Sequence, residues 1–271
     1  MDIYIYIMKI GIIGLGFVGG AILKSFRLKN INVIGYDKFK NSDEFKDILK
    51  TDIVFLCLPT LFDETKNEYN KDSIHEICKL LDEYEGIVVI KSTVEPETTN
   101  NLSKQYPNLK FIHNPEFLTA RTAFEDFHNQ KHIVLGKGSN CSIENLNKLK
   151  IFFSEYYPNS NISLCDSIES ESMKIFCNSF YASKVMLFNE YYMLCNKNGS
   201  DFNKIKELML KNNWINEMHT NVPGPDGKFG YGGACFPKDT KALNEYMKTL
   251  KSPNQVLESV IKECNNIRNI L

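Results

Sequence analysis

Arginine is nearly absent from this chain: Arg27, Arg121 and Arg268 are the only three among 32 basic residues. Arginine is the usual bidentate clamp for phosphate, so a phosphate-bearing ligand would have to be held by lysine point charges and backbone amides. An excess of one charge is lacking too, with 33 acidic residues against those 32 basic ones. That balance excludes the basic footprint of a nucleic-acid binder and leaves a small molecule as the expected ligand. The eight cysteines (57, 78, 141, 165, 177, 195, 235 and 264) contain no CxxC pair, and several sit in apolar runs. Reduced cytoplasmic thiols are distributed in this way, so neither a metal site nor a disulfide framework is expected. Residues 1–7 are apolar but have no basic region before them and no small-residue cleavage pattern, so no signal peptide is read there. Low-complexity segments and internal repeats are also missing, and no membrane partner is expected. The length of 271 residues allows one large or two modest domains.

What is present begins with the apolar run Lys9–Ile13, which leads into Gly14-Leu15-Gly16-Phe17-Val18-Gly19 and then into a helical pattern through Ala21, Ile22, Leu23 and Phe26. A second run, Asn32–Tyr36, ends at Asp37. Strand, glycine turn, helix, strand and an acid about twenty residues on is the order that a dinucleotide requires. The first glycine permits the tight turn, the second lets the pyrophosphate approach, and the third lets helix pack on strand. The helix N-terminus then faces the phosphates. Further apolar runs at 53–58, Ile87–Ile90, Lys110–His113 and 132–135 read as buried parallel strands, separated by helical stretches such as 73–81 and 97–105. The expectation is an N-terminal Rossmann-type α/β domain over 1–165. Asp37 would accept from both ribose hydroxyls and favours NAD, whereas Lys38 beside it could meet the 2′-phosphate of NADP.

Beyond Cys165 the pattern is helical. Residues 167–196 contain neither glycine nor proline, and Ile168, Met173, Phe176, Tyr181, Val185 and Phe188 recur near helical spacing, so one long helix is expected. Shorter helices are read at 201–210 and 240–250, and another at 255–270 after the break at Ser252-Pro253. Residues 166–271 are thus expected to form an all-helical domain around one long central helix.

Within it, Gly230-Tyr231-Gly232-Gly233-Ala234-Cys235-Phe236-Pro237-Lys238-Asp239 places a cysteine in a glycine-rich turn. The glycines allow positive φ and close approach to a ligand, and Lys238 could supply the positive charge that a thiolate needs. Either Cys235 is a nucleophile, or it is a small buried apolar residue. Lys174 and Asn178, four apart on the long helix, share one face and could donate to a developing oxyanion; otherwise they lie on an ordinary solvated face.

Several ordered motifs together resemble the UDP-glucose/GDP-mannose dehydrogenase family: the glycine fingerprint, Leu58-Pro59-Thr60, Lys91-Ser92-Thr93-Val94, Asn114-Pro115-Glu116-Phe117-Leu118, Glu171-Ser172-Met173-Lys174 with Asn178, and the cysteine loop. The resemblance implies an NAD-dependent, two-step oxidation of a nucleotide-sugar primary alcohol to the uronic acid, with UDP-glucose to UDP-glucuronate foremost. It makes Cys235 the nucleophile that carries a thiohemiacetal and then a thioester. Lys174, Asn178 and Asp239 would manage the oxygen and water chemistry, assisted by Thr93 and Glu116. It assigns Gly14, Gly16, Phe17, Val18, Gly19, Asp37, Pro59, Thr60, Ser92, Thr93 and Lys238 to the cofactor. Glu116, Phe117, Leu118, Lys174, Asn178, Tyr231 and Gly232 would meet the substrate. A homodimer paired through the long helix is implied as well.

The chain departs from the family in places. The second carboxylate usual after Pro-Glu-Phe-Leu is replaced by Ala120, and no arginine precedes the cysteine loop within 218–228. Family members also carry a third α/β domain over the nucleotide half of the substrate, and the resemblance here covers only the first two domains. Two other expectations therefore stand beside the main one: a single-step hydroxy-acid dehydrogenase, and a catalytically weakened NAD-binding homologue.

Overall fold

Short runs rich in Ile and Val cannot bury both faces alone, and here they line up as one sheet. The computed structural model of the chain describes residues 8–268; residues 1–7, read above as no signal peptide, and the last residues of the helix expected to reach 270 lie outside them. In chain order come β1 (Lys9–Ile13), α1 (Phe17–Leu28), β2 (Asn32–Tyr36), α2 (Phe45–Ile48), β3 (Ile53–Leu56), the hairpin strands β4 (Phe62–Asp63) and β5 (Glu68–Tyr69), and α3 (Asp72–Leu80). They are followed by β6 (Ile87–Ile90), α4 (Thr98–Gln105), β7 (Lys110–His113), α5 (Ala123–His128), β8 (His132–Lys137), α6 (Ile143–Tyr156) and β9 (Asn161–Asp166). The seven-stranded sheet has the order β2-β1-β3-β6-β7-β8-β9. Neighbouring residues of β3 enter opposite apolar clusters: Phe55 packs with Phe26, Phe152 and Phe153, whereas Val54 packs with Ile74, Val88 and Phe111. With both faces covered, the strands need no polar alternation.

The strand order turns at β1, which pairs in parallel with β2 on one side and with β3 on the other. The carboxyl ends of strands at such a switch point form the ligand crevice of open α/β sheets. The Rossmann-type expectation holds, with one correction: the 132–135 run, expected to be parallel, becomes β8 and pairs antiparallel with β7. The helix between them, α5, has only six residues. With the three-residue turn Ala120–Thr122 ahead of it, it brings the chain into β8 running opposite to β7. β9 then pairs in parallel with β8.

The chain divides into two compact units, one formed by the chain up to Thr60 with Asn70–Lys174, the other by Leu61–Tyr69 with the chain from Ile175. The expected boundary at 165/166 and this division at Lys174/Ile175 differ by the first turns of the long helix. That helix is α7 (Ser167–Asn198); the second unit contains it from Ile175 on, together with α8 (Phe202–Leu210), α9 (Phe236–Thr249) and α10 (Gln255–Arg268). α7 covers the whole stretch expected to be helical and stops before Gly199, whose φ of 76° suits a helix end. The unit is not wholly helical, because the β4–β5 hairpin joins it and Tyr69 enters a core with Ile175, Leu243 and Leu257. α9 begins four residues ahead of the expected 240, with Cys235 as its N-cap residue and a proline in the first turn, a position where the missing amide hydrogen costs nothing.

Candidate active site

The glycine loop follows β1 at the switch point. Gly14 has φ 89°, and a Cβ there would lie 2.5 Å from the Cys57 carbonyl oxygen. A Cβ on Gly19 would meet the Gly14 carbonyl oxygen at 1.8 Å, so this glycine is what lets α1 close on the loop. Gly16 is different: its φ is −71°, and a Cβ would have nothing within 4 Å. The open space at Gly16 faces the start of α1, where no side chain caps the helix and no acid stands in the first turn. That arrangement suits a pyrophosphate, whose charge the first amides can accept. Phe17 is exposed, and Val18 packs on the core beneath. Asp37 is fixed beside the loop, its Oδ2 accepting from the Leu15 amide at 2.7 Å and its Oδ1 from the Phe39 amide at 2.9 Å. Lys38 pairs instead with Glu76 at 2.7 Å, and that partner raises its pKa. A lysine already paired offers little to a 2′-phosphate, so the residues present fit NAD.

Two hydroxyls tie the neighbouring strand ends together. Ser92 Oγ accepts from the Leu58 amide at 3.0 Å and donates to the Leu58 carbonyl at 2.7 Å, and Thr60 donates to the Thr93 carbonyl at 2.7 Å. Pro59 is exposed beside them. The Thr60 and Ser92 hydroxyls thereby shape this wall of the crevice.

In the same unit Lys174 Nζ lies 3.2 Å from Glu116 Oε1, and both side chains are at least nine-tenths buried. Glu116 Oε2 accepts from the Leu118 amide at 2.6 Å, and the Phe117 ring lies 5.5 Å from Lys174 Nζ. Lys174 is thus buried and paired, not part of a solvated face. The loop that carries Glu116 is held from below by Lys91, whose Nζ donates to Asn114 Oδ1 at 3.0 Å and to the Pro115 carbonyl at 3.1 Å. Burial pulls the Lys91 ammonium down to about 8, with Cys57 and Glu116 opposing that shift. Sequence reasoning quoted Lys91 within a motif and gave it no role; a lysine directly after the apolar β6 run was the available signal.

In the helical unit Asn178 Nδ2 donates to Asp239 Oδ2 at 2.6 Å. Lys238 Nζ approaches Asp239 Oδ1 at 2.5 Å and lies 4.5 Å from the centre of the Tyr69 ring. Asp239 is fully buried and Asn178 nearly so. Cys235 is exposed, which removes the reading of it as a packed apolar residue. As N-cap of α9 it stands at the end of the helix where negative charge is favoured. The Tyr231 side chain is buried, with its hydroxyl 3.3 Å from Thr240 Oγ1, and a Cβ on Gly232 would clash with the Arg268 guanidinium at 2.5 Å. The Tyr231 side chain is thus part of the packing, and position 232 has no room for a side chain. Tyr69, which donates through its hydroxyl to Asp239 Oδ1, was not foreseen.

Residues 37–153 match the NAD binding domain of the UDP-glucose/GDP-mannose dehydrogenase family, and residues 168–266 match its central domain. The glycine loop precedes the first match and rests on its own geometry. UDP-glucose 6-dehydrogenase of Rickettsia prowazekii is 31% identical over 253 residues, which cover 91% of this chain and 54% of that protein. The chain spans about half the length of the curated relatives it matches. Among solved structures, a UDP-glucose dehydrogenase from Pyrobaculum islandicum superposes with a TM-score of 0.83 at 21% identity, covering 97% of this chain and 69% of that one. A 3-hydroxyisobutyrate dehydrogenase from Mycobacterium tuberculosis gives 0.75 at 13% identity, covering 95% and 92%. At those identities the likeness is one of fold.

Proposed function

Because the chain belongs to the UDP-glucose/GDP-mannose dehydrogenase family, we propose that it oxidises the primary alcohol of a nucleotide sugar through the aldehyde to the acid, with UDP-glucose as first candidate. The observation that carries this reading is an exposed Cys235 at the start of α9, one turn from the Asp239, Lys238 and Asn178 network. Gly14, Gly16, Phe17, Val18, Gly19, Asp37, Pro59, Thr60, Ser92 and Thr93 hold NAD, which accepts a hydride in each oxidation when bound; Lys238 is assigned to it through the family resemblance.

Oxidising an alcohol to an acid removes two hydrides, and an aldehyde cannot lose the second until a nucleophile has added to it. Cys235 sulfur forms the C–S bond, and the carbonyl oxygen takes up a proton to give a thiohemiacetal. Lys174 and Asn178 donate to that oxygen while it is negatively charged. Loss of the second hydride and of the hydroxyl proton leaves a thioester. Water then attacks its carbonyl, Asp239 or Glu116 accepts the water proton, and the C–S bond breaks to return the thiolate and release the acid. Phe117, Leu118, Tyr231 and Gly232 complete the contacts to the sugar.

A homodimer in the cytoplasm completes the reading. Phe176 and Phe180 of α7 are 54% and 66% exposed, and with Leu243, Pro253 and Val256 they line an apolar cavity of about 650 Å³. Surfaces of this kind suit a subunit contact. None of the eight cysteines is in a disulfide. The test is to supply the purified protein with NAD and, separately, UDP-glucose, UDP-N-acetyl sugars and GDP-mannose, counting NADH per acid. Two NADH are expected. One NADH with a small hydroxy acid, and none with the sugars, would favour single-step chemistry instead.

A further inference from the structure

We propose that Tyr69 is a positioning residue of this site, fixing the Asp239 carboxylate and through it the Asn178 amide and the Lys238 ammonium; this rests on the function proposed above. Tyr69 is the last residue of the β4–β5 hairpin, a nine-residue excursion that leaves the strand-bearing part of the chain and packs within the helical unit. The ring is fully buried beside Leu243, and its hydroxyl donates to Asp239 Oδ1. Lys238 Nζ reaches the same oxygen at 2.5 Å while standing over the Tyr69 ring. Asn178 takes the other oxygen at 2.6 Å.

A carboxylate oxygen has two lone-pair directions. Oδ1 spends both, on Tyr69 and Lys238. Oδ2 accepts from Asn178. The carboxylate plane is thus held at three points. The hairpin is tied to α9 a second time by the ion pair of Glu64 with Lys241, whose ammonium also lies 5.8 Å from the centre of the Phe62 ring. The hairpin and α9 are thus joined at two points, one buried and one at the surface.

The test is Tyr69→Phe, which keeps the ring and its packing under Lys238 and deletes only the hydroxyl. Losing a hydrogen bond to a charged group predicts a kcat lower by roughly ten- to a hundredfold, with KM for the nucleotide sugar and for NAD within about twofold of the starting protein, the split expected of a group that orients without binding. A kcat that stays at the unsubstituted value overturns the assignment. Thermal unfolding of Tyr69→Phe, Asp239→Ala and the double variant supplies a readout that needs no substrate. Tyr69→Phe is expected to lower Tm in the unsubstituted chain and to have little effect once Asp239 is alanine. Equal shifts in both backgrounds overturn the assignment, whatever the turnover. A protein that reduces no NAD with any sugar yet shows this coupling counts against the proposed function and supports the contact.

Discussion

Replacing Glu171 by glutamine is expected to stabilise the protein at neutral pH and above, and to change little in acid. Glu171 lies at the start of α7 with its side chain fully buried. Its Oε1 accepts from the Thr99 amide at 2.7 Å and from the Thr99 hydroxyl at 2.6 Å, and so caps the N-terminus of α4 from outside that helix. Burial pushes the carboxyl up from 4.5 to about 7, with the Thr99 bonds and the Glu97 amide opposing the rise. Below the unfolded value both states hold the proton and the folded chain bears no charge at this site. As pH climbs past 4.5 the unfolded chain releases its proton first, so the folded state loses ground. Once pH passes about 7 both states are ionised and the loss is complete, at about 3 kcal/mol for this single group. Glutamine keeps the oxygen that Thr99 needs and never ionises. Urea unfolding of both proteins, followed by circular dichroism at a series of pH values, should show their difference in free energy growing by about 3 kcal/mol between about pH 4 and pH 8. A difference that stays level over that range would refute the reasoning.

Gly16→Val should weaken NAD binding at least tenfold, measured by calorimetry, while Tm holds, because the new side chain enters open space where the phosphates would lie. Gly19→Ala should lower Tm sharply, since its Cβ meets the Gly14 carbonyl oxygen at 1.8 Å. Phe180→Asp should convert a dimer to a monomer in analytical ultracentrifugation with NAD binding retained; a dimer that survives the change would place the subunit contact elsewhere.

The glycine turn, its flanking strands and Asp37 were legible because their signals are local: an apolar run, residues that tolerate an unusual backbone, and an acid at a fixed distance. The long helix was legible for the same reason, as thirty residues without glycine or proline leave few alternatives. Strand direction was not, because the apolar run of β8 reads identically whichever way it pairs with β7. β9 escaped notice because it carries exposed and half-buried residues instead of a continuous apolar run. Helical spacing placed Lys174 and Asn178 on one face but said nothing of their burial, which depends on Glu116 and Asp239, far away in the chain. Tyr69 could not have been found from pattern at all. Its partner is 170 residues distant and its strand is two residues long.

The central claim is that Cys235 carries the sugar between two oxidations. Counting NADH per sugar in Cys235→Ala against the unsubstituted protein, with the products identified by mass, tests it most directly. The account predicts two NADH and an acid from the unsubstituted chain, and from the variant no acid and at most one NADH per sugar. Acid formed by the variant at the unsubstituted rate, with two NADH, would contradict it.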